Sequence, residues 1–147
     1  MNPSKGYPNT TQVSHCLIFT VSETEVDALG HLNNGVYIAN LERARIAFYQ
    51  HINLELESPP PKGLGTVVVN MNINFRRECF AGDHLQILTQ AHSRGGRSYS
   101  LSQTLTRSDN EVVCDALVTN VIMDLNSRRV VDIPPELVRI YAIRKPQ

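Results

Sequence analysis

A single helix-length pattern, set among segments that alternate like strands, limits what this chain can fold into more than any other feature. Tyr37, Leu41, Ala44 and Phe48 recur at i, i+4, i+7 and i+11, flanked by Ile38 and Arg45, with Glu42, Arg43 and Gln50 beside or opposite the stripe. This spacing predicts an amphipathic helix over Gly35 to Gln50 that buries one face. About 15 helical residues span roughly 22 Å, enough to cross a small sheet. Asn33 or Asn34 is the natural N-cap, because a short polar side chain there accepts a hydrogen bond from an otherwise orphan N–H. No acid follows three residues on to complete a capping box.

The rest of the chain supplies a sheet for that helix to cover. Val13 to Val21 alternates, with Leu17, Phe19 and Val21 on one face and Cys16, Ile18 and Thr20 on the other. Ser22 to Asn34 has no period and carries Glu23, Glu25 and Asp27, as expected of a connection over the end of a sheet. After the helix, Asn53 to Gly65 reads as a loop, since Ser58-Pro-Pro-Pro-Lys-Gly63 can neither continue a helix nor enter a sheet interior. A second strand follows, with Val67, Val69, Met71, Ile73 and Phe75 on one side and Val68, Asn70, Asn72, Asn74 and Arg76 on the other. Ala81-Gly82-Asp83 turns the chain into a third strand carrying Leu85, Ile87, Thr89 and Ala91. Arg94-Gly95-Gly96-Arg97 is a hairpin signal, and Tyr99, Leu101, Gln103 and Leu105 form the fourth strand. Asp109-Asn110 turns again into a long fifth strand, Val112 to Leu125. Its middle, Ala116-Leu117-Val118, is apolar on both faces, which suits a central place or a subunit contact. Asn126-Ser127 turns the chain before Arg129 to Ile133, and Pro134-Pro135 precedes a short helix over Glu136 to Ile140. Strand, helix, then four strands describe an α+β domain over residues 13–142, with residues 1–12 as a polar, flexible N-terminal segment.

Lys plus Arg number 14 and Asp plus Glu 14, so the net charge is zero. That balance argues against nucleic acid or an anionic membrane surface as the main partner. The odd set Cys16, Cys79 and Cys114 follows no CxxC pattern, which points to reduced thiols in a cytoplasmic protein and against a structural zinc site. No apolar run reaches membrane-spanning length.

Chemistry concentrates in Asp27-Ala28-Leu29-Gly30-His31-Leu32-Asn33-Asn34. A carboxylate, an imidazole, a glycine and two amides precede a helix start, where unpaired N–H groups and the positive dipole end face them. Gly30 permits a close backbone approach or a positive φ. The bland alternative is that Asp27 is a turn or capping carboxylate. Asp27 and His31 make a weak metal pair, because His15, His51, His84 and His92 add no matching spacing. There is no G-x-S-x-G, and no P-loop lysine follows Gly63-Leu64-Gly65 or Gly95-Gly96. From the residues alone, cap and site both remain open.

The run Glu25-Val26-Asp27-Ala28-Leu29-Gly30-His31-Leu32-Asn33-Asn34-Gly35-Val36-Tyr37, continuing through Leu41-Glu42-Arg43-Ala44-Arg45, resembles the signature of the 4-hydroxybenzoyl-CoA thioesterase-like group of hotdog-fold acyl-CoA thioesterases. Ile73-Asn74-Phe75-Arg76-Arg77 and Gly82-Asp83-His84-Leu85 are similar to later segments of that family, and the likeness runs from about Val13 to Asp124. The resemblance implies a hotdog fold, one long central helix wrapped by a curved antiparallel five-stranded sheet. It also implies a homodimer, or a dimer of dimers, with active sites at the subunit interface. The implied reaction is hydrolysis of an acyl-CoA to free acid and CoA without metal or cofactor. An acyl carrier protein thioester as substrate, or a non-catalytic hotdog binding protein, are the alternatives.

Carried over by position, Asp27 matches the catalytic carboxylate, as general base or nucleophile. Gly30, His31, Asn33 and Asn34 match the segment that enters the helix and polarises the thioester carbonyl. Apart from the motif, the zero net charge makes CoA binding depend on local arginines, with Arg76, Arg94 and Arg97 as candidates and Tyr37 as a candidate substrate contact. Glu42 and Arg45 match a helix motif expected to be structural. One departure stands out: Glu78-Cys79-Phe80 occupies the place of a proline-bearing run common after F-R-R.

Overall fold

The computed structural model describes residues 13–54 and 63–141. The N-terminal segment 1–12, most of the proline loop and residue 142 lie outside the described residues. In chain order the elements are β1 (Ser14–Thr20), a 3-10 turn (Glu23–Glu25), α1 (Asn34–His51), β2 (Leu64–Phe75), β3 (His84–Arg94), β4 (Ser98–Arg107), β5 (Val112–Asp124), β6 (Arg129–Val131) and α2 (Pro135–Tyr141). The helix starts one residue before and ends one residue after the span its periodicity predicts.

All strands pair antiparallel in the order β1-β3-β4-β5-β2, and β6 adds three residues alongside the end of β5. The sheet therefore has a sixth short strand beyond the expected five. Its turn is built by Asp124, whose carboxylate accepts the N–H groups of Asn126 (2.8 Å) and Ser127 (3.0 Å). β5 takes the central place that its two apolar faces suggest.

Register aligns apolar residues across the sheet, from the buried core out to the exposed Phe75 at the end of β2. One row runs Leu17, Ile87, Leu105, Cys114 and Phe75 through five successive strands. These residues share a face because each lies directly opposite the next. Against the sheet α1 buries Tyr37, Asn40, Leu41, Ala44, Arg45, Phe48 and Tyr49. Ile38 remains exposed, since it lies about 100° round the helix from Tyr37. Two polar residues occupy the buried face in its stead, each with a partner. Asn40 donates to the Val36 carbonyl (3.0 Å) and Arg45 to Gln103 Oε1 (3.1 Å), while Gln103 Nε2 donates to the Leu41 carbonyl (3.0 Å) and Thr89 Oγ1 (3.0 Å). Arg45 is thus structural, as its motif implies.

The alternation expected along β2 is broken. A bulge between Val68 and Asn70 changes which residues face the helix. Met71 and Ile73 pack on the core beyond it, and Leu64 packs on the core before it. Val69 falls at the irregularity and is exposed. A one-residue insertion inverts a period-two pattern, which sequence alternation alone does not register.

Candidate active site

The segment from Val21 to Asn33 is a small backbone-bonded finger. Val26 and Leu32 pair antiparallel, Asp27 N–H donates to the His31 carbonyl (2.9 Å), and Asn33 N–H to the Glu25 carbonyl (3.1 Å). Its tip is a tight turn in which Gly30 N–H donates to the Asp27 carbonyl (2.9 Å). Gly30 has φ +87°, a conformation that explains glycine at this position. The finger is anchored on the connection between β2 and β3 through Leu32 N–H to the Cys79 carbonyl (2.7 Å) and a bridge between His31 and Phe80.

Asp27 has one oxygen committed and one available. Oδ1 accepts the Leu29 N–H (2.8 Å), an Asx turn, while Oδ2 lies 4.0 Å from His31 Nδ1. The other ring nitrogen, Nε2, lies 3.9 Å from Glu78 Oε1. Asn33 is the N-cap: its Oδ1 accepts the Gly35 N–H (2.8 Å), so this side chain is engaged in starting the helix. Asn34, the first helical residue, has an N–H for which the helix offers no internal acceptor.

A cleft of about 220 Å³ opens at this helix end, lined by His31, Leu32, Asn34, Tyr37, Phe75, Arg76, Arg77 and Glu78. Tyr37 meets Phe75 edge-on (5.3 Å between centroids), and its hydroxyl donates to the Arg77 carbonyl (3.3 Å). Burial raises the Tyr37 phenol above its ordinary range, so it stays a neutral donor. Nearby, burial also raises the Cys79 thiol and pushes Cys114 up to about 12, which keeps both thiols protonated and poor nucleophiles.

The structure thus gathers His31, Asn34, Tyr37 and Arg76 on one cleft, whereas Asp27, Gly30 and Asn33 do not line it and Asp27 reaches it only through His31, 4.0 Å from its Oδ2. Arg94 and Arg97 lie elsewhere, at the β3–β4 turn, whereas the cleft adjoins the chain leading into the opposite end of β3. Arg97 pairs with Asp132 (3.0 Å) and Arg94 bonds the Gly95 carbonyl (3.1 Å). Arg76 is itself paired with Asp115, and Arg77 with Glu111 (2.8 Å). Sequence reasoning did not pick out Phe75, Arg77 or Glu78 as cleft residues. The end of the β2 alternation at Phe75 was the available signal, marking where the chain leaves the sheet.

A larger groove of about 370 Å³ lies over β2, β3, β4 and β5, lined among others by Asn72, Asn74, His92, Ser102 and Asp115. No helix end and no residue of the finger lines it. Among the described residues no group of three or more His, Cys, Asp or Glu side chains is placed to hold a metal ion. No helix among them is long and apolar enough to cross a membrane.

One long helix laid on an antiparallel sheet of this order, with a polar finger feeding its N-terminus, defines a hotdog domain. The chain belongs to the thioesterase-like superfamily, which it matches over residues 21–140, and is a thioester hydrolase by membership. It is 34% identical over 113 residues to the long-chain acyl-CoA thioesterase FadM of Escherichia coli, covering 76% of this chain and 85% of that one. It is 26% identical over 100 residues to the acyl-CoA thioester hydrolase YbgC of Escherichia coli, covering 68% and 75%. Among solved structures it resembles YbaW, a probable thioesterase from Escherichia coli, at TM-score 0.70 and 30% identity over 89% of this chain and 98% of that one.

Proposed function

We propose that this protein hydrolyses an acyl-CoA thioester to free carboxylic acid and CoA, with Asp27 as the catalytic carboxylate. The observation that carries this reading is a cleft at the start of α1 lined by His31 and Asn34, with the Asp27 carboxylate 4.0 Å from the His31 ring. During attack on a thioester, charge develops on the carbonyl oxygen. A fixed N–H at the first helical turn, here that of Asn34, and the helix dipole stabilise that charge without reorganisation. Asp27 Oδ2 either takes a proton from water, whose oxygen adds to the carbonyl, or adds itself to give an acyl anhydride that water then hydrolyses. In both routes the C–S bond breaks and CoA leaves as a thiolate that takes up a proton. His31 orients, Asn33 fixes the helix start, and Tyr37 and Phe75 supply an apolar wall. The names of FadM and YbgC support CoA over a carrier protein as the leaving group.

The same reading makes the protein a cytoplasmic homo-oligomer with its sites at a subunit interface. Leu29, Phe75 and Phe80 stand exposed around the cleft, and β2 is a 12-residue edge strand with Val68 and Val69 exposed. An edge of that length is a template for pairing with a second copy. Sedimentation at micromolar concentration is expected to show a dimer or tetramer, and a monomer would overturn this part.

Asp27→Asn tests the chemistry. Asparagine keeps an Oδ1 for the Leu29 N–H, so the finger is expected to persist with an unchanged melting temperature. Turnover of a panel of short, long and aromatic acyl-CoAs, read by thiol release, is expected to fall about 10²–10⁴-fold. A variant within threefold of the wild type would reduce Asp27 to a turn residue.

A further inference from the structure

Three consecutive carbonyls in the connection from β2 to β3 are each held by a different element. That of Arg77 accepts from the Tyr37 hydroxyl (3.3 Å), that of Glu78 from Arg107 Nη1 (2.9 Å), and that of Cys79 from Leu32 N–H (2.7 Å). Arg107 is fixed in turn by a two-point pair with Asp109, Nε to Oδ1 at 3.1 Å and Nη2 to Oδ2 at 2.9 Å. On the donor side, the N–H groups of Arg76 and Arg77 share the Val113 carbonyl (2.8 and 3.2 Å), and Phe80 N–H donates to the Asp83 carboxylate (2.9 Å). Solvent could satisfy these groups in an ordinary surface connection. Here protein does so, which fixes the backbone from which Glu78 projects and lowers the entropy lost when its side chain takes up one position.

Glu78 projects into the cleft. Its Oε1 lies 3.9 Å from His31 Nε2, on the ring edge away from Asp27, whose Oδ2 lies 4.0 Å from Nδ1. The cations beside it are each matched with another carboxylate: Arg76 with Asp115, Arg77 with Glu111, Arg107 with Asp109. Glu78 itself is largely exposed, and the side chain that its Oε1 meets, at 3.9 Å, is the His31 imidazole.

We infer that Glu78 is a positioning residue of this site, holding the His31 ring from its Nε2 side while Asp27 holds it from the Nδ1 side. The inference rests on the reading that Asp27 is the catalytic carboxylate. A histidine ring free to turn about its Cβ–Cγ bond presents either nitrogen to either neighbour. With a proton on both ring nitrogens, a carboxylate at each edge fixes the ring, and with it the direction in which Asp27 Oδ2 is held. At 3.9 and 4.0 Å neither contact is a hydrogen bond in this structure, and both must shorten when substrate binds for the ring to be held. Glu78 forms and breaks no bond in this scheme. Glu78 belongs to the run Glu78-Cys79-Phe80 that occupies the place of a proline-bearing run in the resembling family.

The test combines Glu78→Gln, Glu78→Ala and Glu78→Asp with Asp27→Asn and His31→Gln in the full chain. It reads acyl-CoA turnover, melting temperature and the ring ¹⁵N resonances of His31 at one fixed pH. Glu78→Gln and Glu78→Ala are expected to lower kcat about tenfold, leave KM within about twofold, and move the His31 Nε2 resonance with no change in melting temperature. Glu78→Asp is expected to recover part of the loss, and Glu78→Gln to add nothing in the His31→Gln background, because its effect passes through the ring. Unchanged kcat in both Glu78→Gln and Glu78→Ala, beside a disabled Asp27→Asn, overturns the inference and leaves the proposed function standing. A loss that persists in the His31→Gln background also overturns it, since Glu78 would then act elsewhere. If Asp27→Asn retains full turnover, the proposed function fails by itself and the Nε2 resonance decides the present point. A resonance unmoved by Glu78→Gln means that Glu78 does not hold the ring.

Discussion

In its C-terminal half α1 presses Phe48 and Tyr49 into a cluster with Tyr99, Leu101 and Ile122, closed over by Ile133, Leu137 and Ile140 from the β6–α2 segment. Every one of those side chains is buried, and the hydroxyls are matched as well, Tyr49 with Tyr99 and Tyr141 with the Ser100 carbonyl (2.7 Å). Burial pushes the Tyr49 phenol up to about 12, so this end carries no ionisable phenolate near neutral pH. The N-terminal half differs. Tyr37, Leu41 and Ala44 are buried, but around them Leu29 is 78% exposed, Phe80 46% and Phe75 44%. Polar groups, among them His31, Asn34 and Glu78, stand between these apolar ones. One helix thus closes a core at one end and borders an open cleft at the other. The contrast follows from what covers each end: α2 and β6 seal the first, and nothing in the described chain seals the second.

The comparison yields tests of decreasing size. Phe48→Ala removes the fully buried ring of the sealed end and is expected to cost about 3–5 kcal/mol of stability by denaturant unfolding. Turnover per folded molecule should stay within a few-fold of the wild type. Asp27→Asn predicts the converse, lost turnover with unchanged melting, and a variant that fails in both respects would break the division between the two ends.

Gly30→Ala probes the finger. A Cβ there would meet nothing within 4 Å, so any cost comes from the backbone at φ +87°. That cost is expected at about 1–2 kcal/mol. Because strain at the tip moves the Asp27 carbonyl and carboxylate, kcat is expected to fall more than the melting temperature suggests. Asparagine at this position, which tolerates positive φ better, should recover part of both.

The smallest effect concerns acid. Asp115 is held below the usual carboxylate range, first by its hydrogen bond from Arg76 and also by Asn74 (Nδ2 to Oδ1, 3.0 Å). A depressed folded-state value favours the ionised form in the native protein. Its stabilisation is therefore fully present above the unfolded value, near pH 4, and is lost as pH falls through the lower folded value. Asp115→Asn is expected to lower stability slightly at neutral pH and to make the acid limb of a melting-versus-pH curve shallower. An unchanged limb would assign acid sensitivity to Asp109 and Asp124, which are depressed too.

Periodicity by itself determined α1 to within a residue at each end, the four long strands after it and the central fitness of β5, because burial on one face repeats at 3.6 or 2 residues wherever the element is regular. It also placed Asn33 among the caps, since capping is a local hydrogen bond. Tertiary structure alone decided the rest. The bulge at Val69 depends on how β2 meets β5, and the three-residue β6 depends on pairing that its own length does not announce. Asp27, His31 and Glu78 are separated by up to 51 positions in sequence, yet two of them flank the third within 4.0 Å. That meeting is set by the anchoring of Leu32 on Cys79, a contact between segments on either side of α1 and β2. Local spacing carries no record of it, because a contact between distant segments is fixed by the path of the whole sheet.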